Sequence, residues 1–504
     1  MNLMDNLPDS FYAIGKDILW IAGLTAGCVY AWKWLRLFNN NLPGPRGFPI
    51  LGNISILIPL SRRTTHEYFL QLKQKYGKMY LLPGLFSLNS SVVVSDPIEA
   101  KRMLTEVDKF QRDEVFEKMM TGLLDHALFV YPTSALWKKH RKLIQPAFGP
   151  SHLRHAAQVS LNSTRDVSHI WDEKFLSKET IQEDVFTVFT CMTLDIIAKV
   201  AFGESLGSVQ GLASGKYTRW KDLDAITTDV LLLRSILPSF LWKVFGVSIT
   251  SPAVSEPRKR IHDFLHELIE KGRKEVESIN GDCNMNMLHR LLLSNDKGIM
   301  TEDEIIGELL GFFLAGHETT SATLTTLMLN LTQNPKVLKK LYEEIKDVDF
   351  NNGSIIETLS TLKYYFHFKD NVICESQRLH SVVGSLGRIS SQPVTVLGHD
   401  FPKGTRFNVY LRGIHLSEEY YEDPLTFNPD RWLKPIEVGT FLPFGDGPHN
   451  CIGQKMALIE TKVILIEFIK RYNFEMIEGT KIQFETTITH GLKGGLPLLI
   501  SKRS

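Results

Sequence analysis

From Thr301 to Asn334 the sequence runs without a proline, opens on Thr301 and Glu304 in capping-box spacing, and stops at Pro335. That pattern predicts one uninterrupted helix, about 50 Å long at a rise of about 1.5 Å per residue. Such an element crosses a whole domain, so the rest of the chain has to fold around it. With 504 residues, 43% of them hydrophobic and 22% charged, the chain can bury a large core. Helical periodicity dominates from about Trp137 to Tyr365, while "KMYLL", "SVVVS", "VTVLGHDF" and "RFNVYL" read as short strands. Asp96, Pro97 and Glu99 mark the start of a further helix. The expected fold class is mainly α with a small β portion.

The middle of the long helix reads "AGHETT", where Gly316 and the hydroxyls of Thr319, Thr320 and Ser321 interrupt an apolar run through Leu309, Leu310, Phe312, Phe313 and Leu314. Glycine in a helix interior costs about 1 kcal/mol against alanine, and Ser or Thr can bond back to carbonyls and bend the helix. A purely structural helix gains nothing from this. A helix opened locally here, with the acid of Glu318 beside the alcohol of Thr319, is suited to hold water and pass protons to a ligand. The alternative is a packing glycine whose polar neighbours face solvent.

The N-terminus departs from the globular pattern. Ile18 to Trp32 carries no charge, aromatic residues Trp20, Tyr30, Trp32 and Trp34 are placed as an interfacial belt, and Lys33, Arg36 and Arg46 follow. An uncleaved membrane anchor with the body on the cytosolic side is expected, in preference to a signal peptide or a core helix. Pro43, Pro45 and Pro49 alternating with Gly44, Gly47 and Gly52 then read as a stiff extended spacer. Lysine and arginine (57) balance aspartate and glutamate (56), which leaves no global field for nucleic acid. The 5 cysteines lack the paired spacing of zinc sites or disulfide frameworks, as expected for a reducing compartment.

"ICESQRLH" places Glu375 and Arg378 on one helical face as an ion pair, and Arg431 of "FNPDRW" can bridge it into a network that is structural, not catalytic. "FGDGPHNCIG" surrounds Cys451 with Gly445, Gly447 and Gly453, which allow positive φ and the close approach of a bulky cofactor. A helical run follows, so the sulfur lies near a helix N-terminus, where a lowered thiol pKa and metal ligation are expected. An inert buried cysteine and a nucleophile with His449 as base are the competing readings.

These four stretches, in this order, resemble the motifs of the haem-thiolate monooxygenases, the cytochrome P450 family, and the likeness spans essentially the whole chain in its microsomal, eukaryotic form. The resemblance implies the cytochrome P450 fold: an anchor over residues 1–38, a hinge over 39–53 and a single large haem-binding domain over 54–504. It implies haem b (iron protoporphyrin IX) ligated by Cys451, with Trp137, Arg141, Ala315, Arg388, Phe444, His449 and Gly453 around it. Thr319 and Glu318 then handle oxygen-derived protons, and Glu375, Arg378 and Arg431 lock the core behind the haem. Phe129, Val130, Leu314 and Val383 are the pocket candidates.

Two positions depart from the family's pattern. His449 stands where microsomal relatives commonly carry arginine, and its charge is expected to depend on pH. "RLHSVVGSLGR" lacks the usual prolines.

An anionic sulfur ligand favours O–O cleavage. Only residues 452–504 follow Cys451, too few for a flavin or dinucleotide module, so electrons are expected from outside, and the resemblance implies NADPH–cytochrome P450 reductase as the donor, with cytochrome b5 as a second. "WKKHRK" offers a basic docking face. The implied reaction is insertion of one oxygen atom of O2 into a lipophilic small molecule (a steroid, fatty acid, terpenoid or xenobiotic) at the endoplasmic reticulum membrane. Leu231 to Gly246 is apolar enough to touch the bilayer and form the entry route the resemblance suggests, with plain core as the alternative. An isomerase or dehydratase on the same fold, or a haem protein that does not activate oxygen, is the alternative.

Overall fold

A computed structural model describes residues 27–28, 42–48, 52–84, 90–215, 229–237, 239–277, 285–351, 353–359 and 367–503. The long helix runs over Glu302–Gln333, with Thr301 as N-cap and the reciprocal bonds of the capping box to Glu304 both made. Its hydroxyls do not open it. Thr319, Thr323, Thr325 and Thr326 each donate to the carbonyl four residues back, at 2.7–2.9 Å, which satisfies buried hydroxyls inside an unbroken helix. The expected local opening is therefore corrected to a continuous α-helix. Gly316 is there for packing: a Cβ would stand 2.7 Å from Ile197 Cγ1 on the neighbouring Val185–Phe202 helix.

That neighbour is apolar over most of its surface, which suits an element largely enclosed by the core. Asp184 caps its start through the amides of Phe186 and Thr187, and Gly203 in the left-handed region ends it. Among the described residues it alone is long and apolar enough to cross a membrane, yet it is buried in the core. The expected anchor, 1–38, lies outside the described residues except for 27–28. Helices Pro150–Phe175 and Gln454–Arg471 complete this helical core, where Trp171 stacks on Phe468 at 4.9 Å.

Strands lie to one side. β1 (Met79–Leu82), β2 (Ser91–Val94), β3 (Phe110–Arg112), β5 (Leu386–Ser390) and β8 (Arg406–Val409) form a sheet in the order β1-β2-β8-β5-β3, with only β2–β8 parallel. β4 (Thr180–Asp184), β9 (Tyr472–Met476) and β12 (Pro497–Lys502) form a second sheet. Two hairpins, β6 (Val394–Val396) with β7 (His399–Phe401) and β10 (Phe484–Thr486) with β11 (His490–Leu492), complete the set. The strands expected at 79–82, 91–94, 394–401 and 406–409 are all present. The described part of the Pro/Gly-rich segment is docked, since Leu81 N donates to Pro43 O at 2.8 Å.

Candidate active site

Cys451 lies in the turn before the Gln454–Arg471 helix, and its amide donates to Phe444 O at 3.0 Å, which closes the loop. Gly447 has φ 69°, and a Cβ there would stand 2.3 Å from Leu104 O, so only glycine fits. Gly453 has an ordinary φ of −85° and caps the helix. The Cys451 side chain is accessible although it lies deep in the fold, because it lines a cleft of about 550 Å³ with Arg141, Lys142, Phe148 and Lys455. Burial pushes its thiol up. The amides of Gly453 and Gln454 and the charge of Arg141 pull it down but do not prevail. The expected lowered thiol pKa is thus corrected: the dipole contribution is present, and desolvation outweighs it.

Around this loop three arginines gather. Arg112 and Arg388 stand directly opposite each other on β3 and β5, an arrangement of like charges that destabilises a ladder. Arg141 comes from the Ala135–Ile144 helix, bonded to Asn450 O at 3.0 Å and Asn450 Oδ1 at 2.9 Å. Among the described residues none of the three pairs with a carboxylate. Burial, then repulsion from Arg388 and Arg141, brings Arg112 down to about 9, and burial brings Arg388 to about 10. Thr133 Oγ1 ties the group together, accepting from Arg112 N at 3.1 Å and meeting His449 Nε2 at 2.9 Å.

His449 lies with its ring 3.8 Å from that of Trp137, and its Nδ1 is buried without a partner. Burial, then Arg112, Arg388 and Arg141, hold it down to about 3, so it is neutral across the physiological range. The expectation of a pH-dependent charge there is corrected accordingly for the protein with no anion bound.

Behind the loop Glu375 is completely buried and collects five donors. Its Oε1 accepts from Arg378 Nη2 (2.8 Å), Asn428 N (3.0 Å) and Arg431 Nε (2.9 Å), and its Oε2 accepts from Arg378 Nε (2.9 Å) and Trp432 Nε1 (2.9 Å). Arg378 Nη1 donates on to His415 O at 2.8 Å, and His415 Nε2 accepts from Leu442 N at 2.9 Å, which joins the network to the start of the cysteine loop.

On the long helix Thr319 donates to Ala315 O at 2.8 Å, while Glu318 accepts from Thr489 Oγ1 at 2.6 Å in the β10–β11 turn. The two side chains, expected side by side, therefore turn to different partners. Val130 and Leu314 are buried, Phe129 and Val383 half-buried, and a Cβ on Gly311 would stand 3.2 Å from the Phe129 ring.

A family profile described as Cytochrome P450 matches residues 42–494. The chain belongs to the cytochrome P450 family. It is 26% identical to Cytochrome P450 4d2 of Drosophila melanogaster, over 90% of this chain and 93% of the relative. With Cytochrome P450 3A56 of Fundulus heteroclitus it shares 27% over 93% of this chain and 94% of the relative. With Protein LUTEIN DEFICIENT 5, chloroplastic, of Arabidopsis thaliana it shares 28% over 90% and 75%. It is thus an oxidoreductase, a haem-dependent monooxygenase that uses O2, a redox partner and a lipophilic substrate.

The residues present fit haem, a flat cofactor with two carboxylates: three uncompensated arginines and an orphaned His449 Nδ1 sit beside the one accessible sulfur of this loop. Arg112, Thr133, His415, Asn428, Trp432 and Thr489 were not foreseen from the sequence. No local signal marks Arg112, whose role depends on strand pairing with Arg388. Replacing it with glutamine (R112Q) is expected to weaken haem retention about 10-fold through loss of a charged hydrogen bond. The haem-free chain should lose about 1 kcal/mol or less, because relief of the like-charge pair offsets the loss of the Arg112 Nη1 bonds to Leu128 O (3.1 Å) and Tyr131 O (3.0 Å). Haem content after gel filtration and urea denaturation of the haem-free chain measure the two effects, and a parallel fall in both refutes the assignment.

Proposed function

We propose that the chain is a haem b monooxygenase that hydroxylates lipophilic small molecules. In this reading residues 1–38 anchor it in the endoplasmic reticulum membrane, residues 39–53 form the hinge, and the body over 54–504 faces the cytosol. The observation that carries the reading is the convergence of Cys451 with an anion-seeking cluster of Arg112, Arg141, Arg388 and His449. Haem bound there supplies the activation of O2 by electrons from outside. Cys451 is its sulfur ligand, held by the Phe444 carbonyl and the amides of Gly453 and Gln454. Trp137, Arg141, Arg388 and His449 hold the propionates, with Arg112 as a further donor. Ala315 and Leu314 bound the ligand side along the long helix.

Protons are moved by the middle of that helix. The Thr319 hydroxyl, oriented by the Ala315 carbonyl, presents its oxygen lone pairs to a donor. Glu318, steadied by Thr489, holds a carboxylate one residue away. Phe129, Val130, Leu314 and Val383 exclude water from the pocket. Lys142 and Lys455, lining the cleft beside the sulfur, suit an acidic electron donor, for which NADPH–cytochrome P450 reductase is the proposal and cytochrome b5 a second. Phe240, Val244 and Phe245, each more than half exposed, suit contact with a bilayer.

Thr319→Ala is the test of the proton path. With reductase, NADPH and a bound substrate, product per NADPH consumed is expected to fall about 10-fold or more, the scale of a lost general acid–base group, while haem content stays as in the parent. Undiminished product per NADPH removes Thr319 from the mechanism.

A further inference from the structure

Between Ile305 and Ala315 the long helix carries a single charged residue, Glu308, and it is completely buried. Its Oε1 meets His140 Nδ1 at 2.6 Å and its Oε2 accepts from Leu128 N at 3.0 Å. His140 is buried as well, on the Ala135–Ile144 helix that also carries Trp137 and Arg141. Its ring stands edge-on to that of Tyr131 at 5.0 Å, and its Nε2 faces Glu304 Oε1 at 3.5 Å without a hydrogen bond. One carboxyl group thus fastens a second helix and the 121–134 loop to the long helix.

The loop lies against the helix backbone itself. A Cβ on Gly307 would stand 1.9 Å from Asp125 O, and one on Gly311 would stand 2.7 Å from Ala127 Cβ. Leu128 is held from both sides, at its amide by Glu308 and at its carbonyl by Arg112 Nη1, 3.1 Å away, which also donates to Tyr131 O at 3.0 Å. Phe129 and Val130 are the two residues in between. The wall of the candidate pocket is therefore strung between the long helix and the arginine cluster.

Packing alone does not ask for a carboxyl group here, because a leucine would suit the apolar run and spare the cost of burying a polar one. Burial pushes the Glu308 carboxyl up, and the bond and charge of His140 and the Leu128 amide pull it back only in part. The clasp holds in either ionisation state. A carboxylate accepts from His140 Nδ1–H and a carboxylic acid donates to Nδ1, while Oε2 accepts from Leu128 N in both.

We propose that Glu308 and His140 are positioning residues of this monooxygenase, which register the pocket wall of Phe129 and Val130 against the haem-holding side chains of Arg112 and Arg141. The inference rests on the monooxygenase reading and adds to it how the wall is set. The clasp bonds to none of Cys451, Arg388 and His449. Its loss therefore leaves those haem contacts in place and frees the wall.

Glu308→Leu removes both bonds and keeps the bulk, and two measurements read the result. In the haem-loaded protein, imidazole and N-phenylimidazole are titrated by their shift of the Soret band. Both reach iron through the same ring nitrogen, and only the second presents an apolar ring to the wall. The preference for N-phenylimidazole is expected to fall about 10-fold in E308L, the scale of an aromatic ring losing much of its buried contact. In the haem-free chain the Leu128 amide should exchange its hydrogen about 10-fold faster or more than in the parent. Glu308→Gln should keep both parent values, because its amide donates to His140 Nδ1 and its oxygen accepts from Leu128 N. A carboxyl group that serves stability alone would lower yield and urea midpoint and leave the preference of the folded molecules as it was. That unchanged preference in E308L overturns the proposal, and so does an E308Q that loses the preference as fully as E308L. Should E308L not fold, Gly307→Ala, which drives a Cβ against Asp125 O and lifts the same loop without touching a buried charge, has to show the same fall, and an unchanged preference there overturns the proposal. A parent with no Soret band overturns the monooxygenase reading and the positioning role with it, whereas a normal parent band with no change in preference overturns the positioning role alone.

Discussion

Cys451→Ala is expected to abolish NADPH-driven oxidation and to remove the thiolate-type Soret band from the reduced, carbon monoxide-treated protein. The sulfur is the group of this loop that can push electron density onto a metal, and the turn that presents it is built from backbone bonds that alanine leaves in place. The Phe444 carbonyl still accepts from residue 451, and Gly447 still passes under Leu104. Stability of the haem-free chain should therefore change by less than about 1 kcal/mol, as for a small substitution that breaks no network. The inert-cysteine reading predicts the opposite pair of results, an intact spectrum with reduced stability. An unchanged carbon monoxide spectrum in C451A would remove Cys451 from the site.

Glu375→Gln is expected to prevent accumulation of folded protein. The amide keeps the shape but turns an NH2 toward donors, so Arg378 and Arg431 are left with an uncompensated charge against a side chain that is completely buried. Removing one partner of a buried pair costs about 3–5 kcal/mol, a large part of the roughly 5–15 kcal/mol that holds a domain together. The loss also reaches the cysteine loop, because Arg378 holds the His415 carbonyl and His415 holds Leu442. Yield, urea midpoint and haem content should fall together.

The same carboxylate sets an acid limit. Burial pushes Glu375 up, but the bond and charge of Arg378, the Asn428 amide and Arg431 pull it further down, so its pKa is lowered in the folded protein. A lowered folded pKa means stability that is present above the unfolded value of about 4.3 and is lost as pH falls through the folded value. Between pH 5 and 8 this contribution should be flat. Urea midpoints of the parent should decline below about pH 4, more steeply than those of any folded E375Q.

Some of this was readable from local sequence. The capping box at Thr301 and Glu304, the cap at Asp96, the glycines about Cys451 and the three-residue spacing of Glu375 and Arg378 each specify a backbone conformation within a few residues. Long-range pairing was not readable. Arg112 and Arg388 are 276 residues apart in sequence yet exact neighbours in a ladder, and Thr489 meets Glu318 across a separation of 171.

By itself, then, the sequence determined the elements and the family motifs, the glycine-framed Cys451 among them, because helix caps, glycine turns and ion-pair spacing act through adjacent backbone. Tertiary structure alone decided the signs of the site's electrostatics. It put desolvation ahead of the helix dipole at Cys451 and held His449 neutral beneath three arginines. The physical reason is that the energy of a charge depends on everything within several ångströms of it, and that neighbourhood exists only once distant segments have packed.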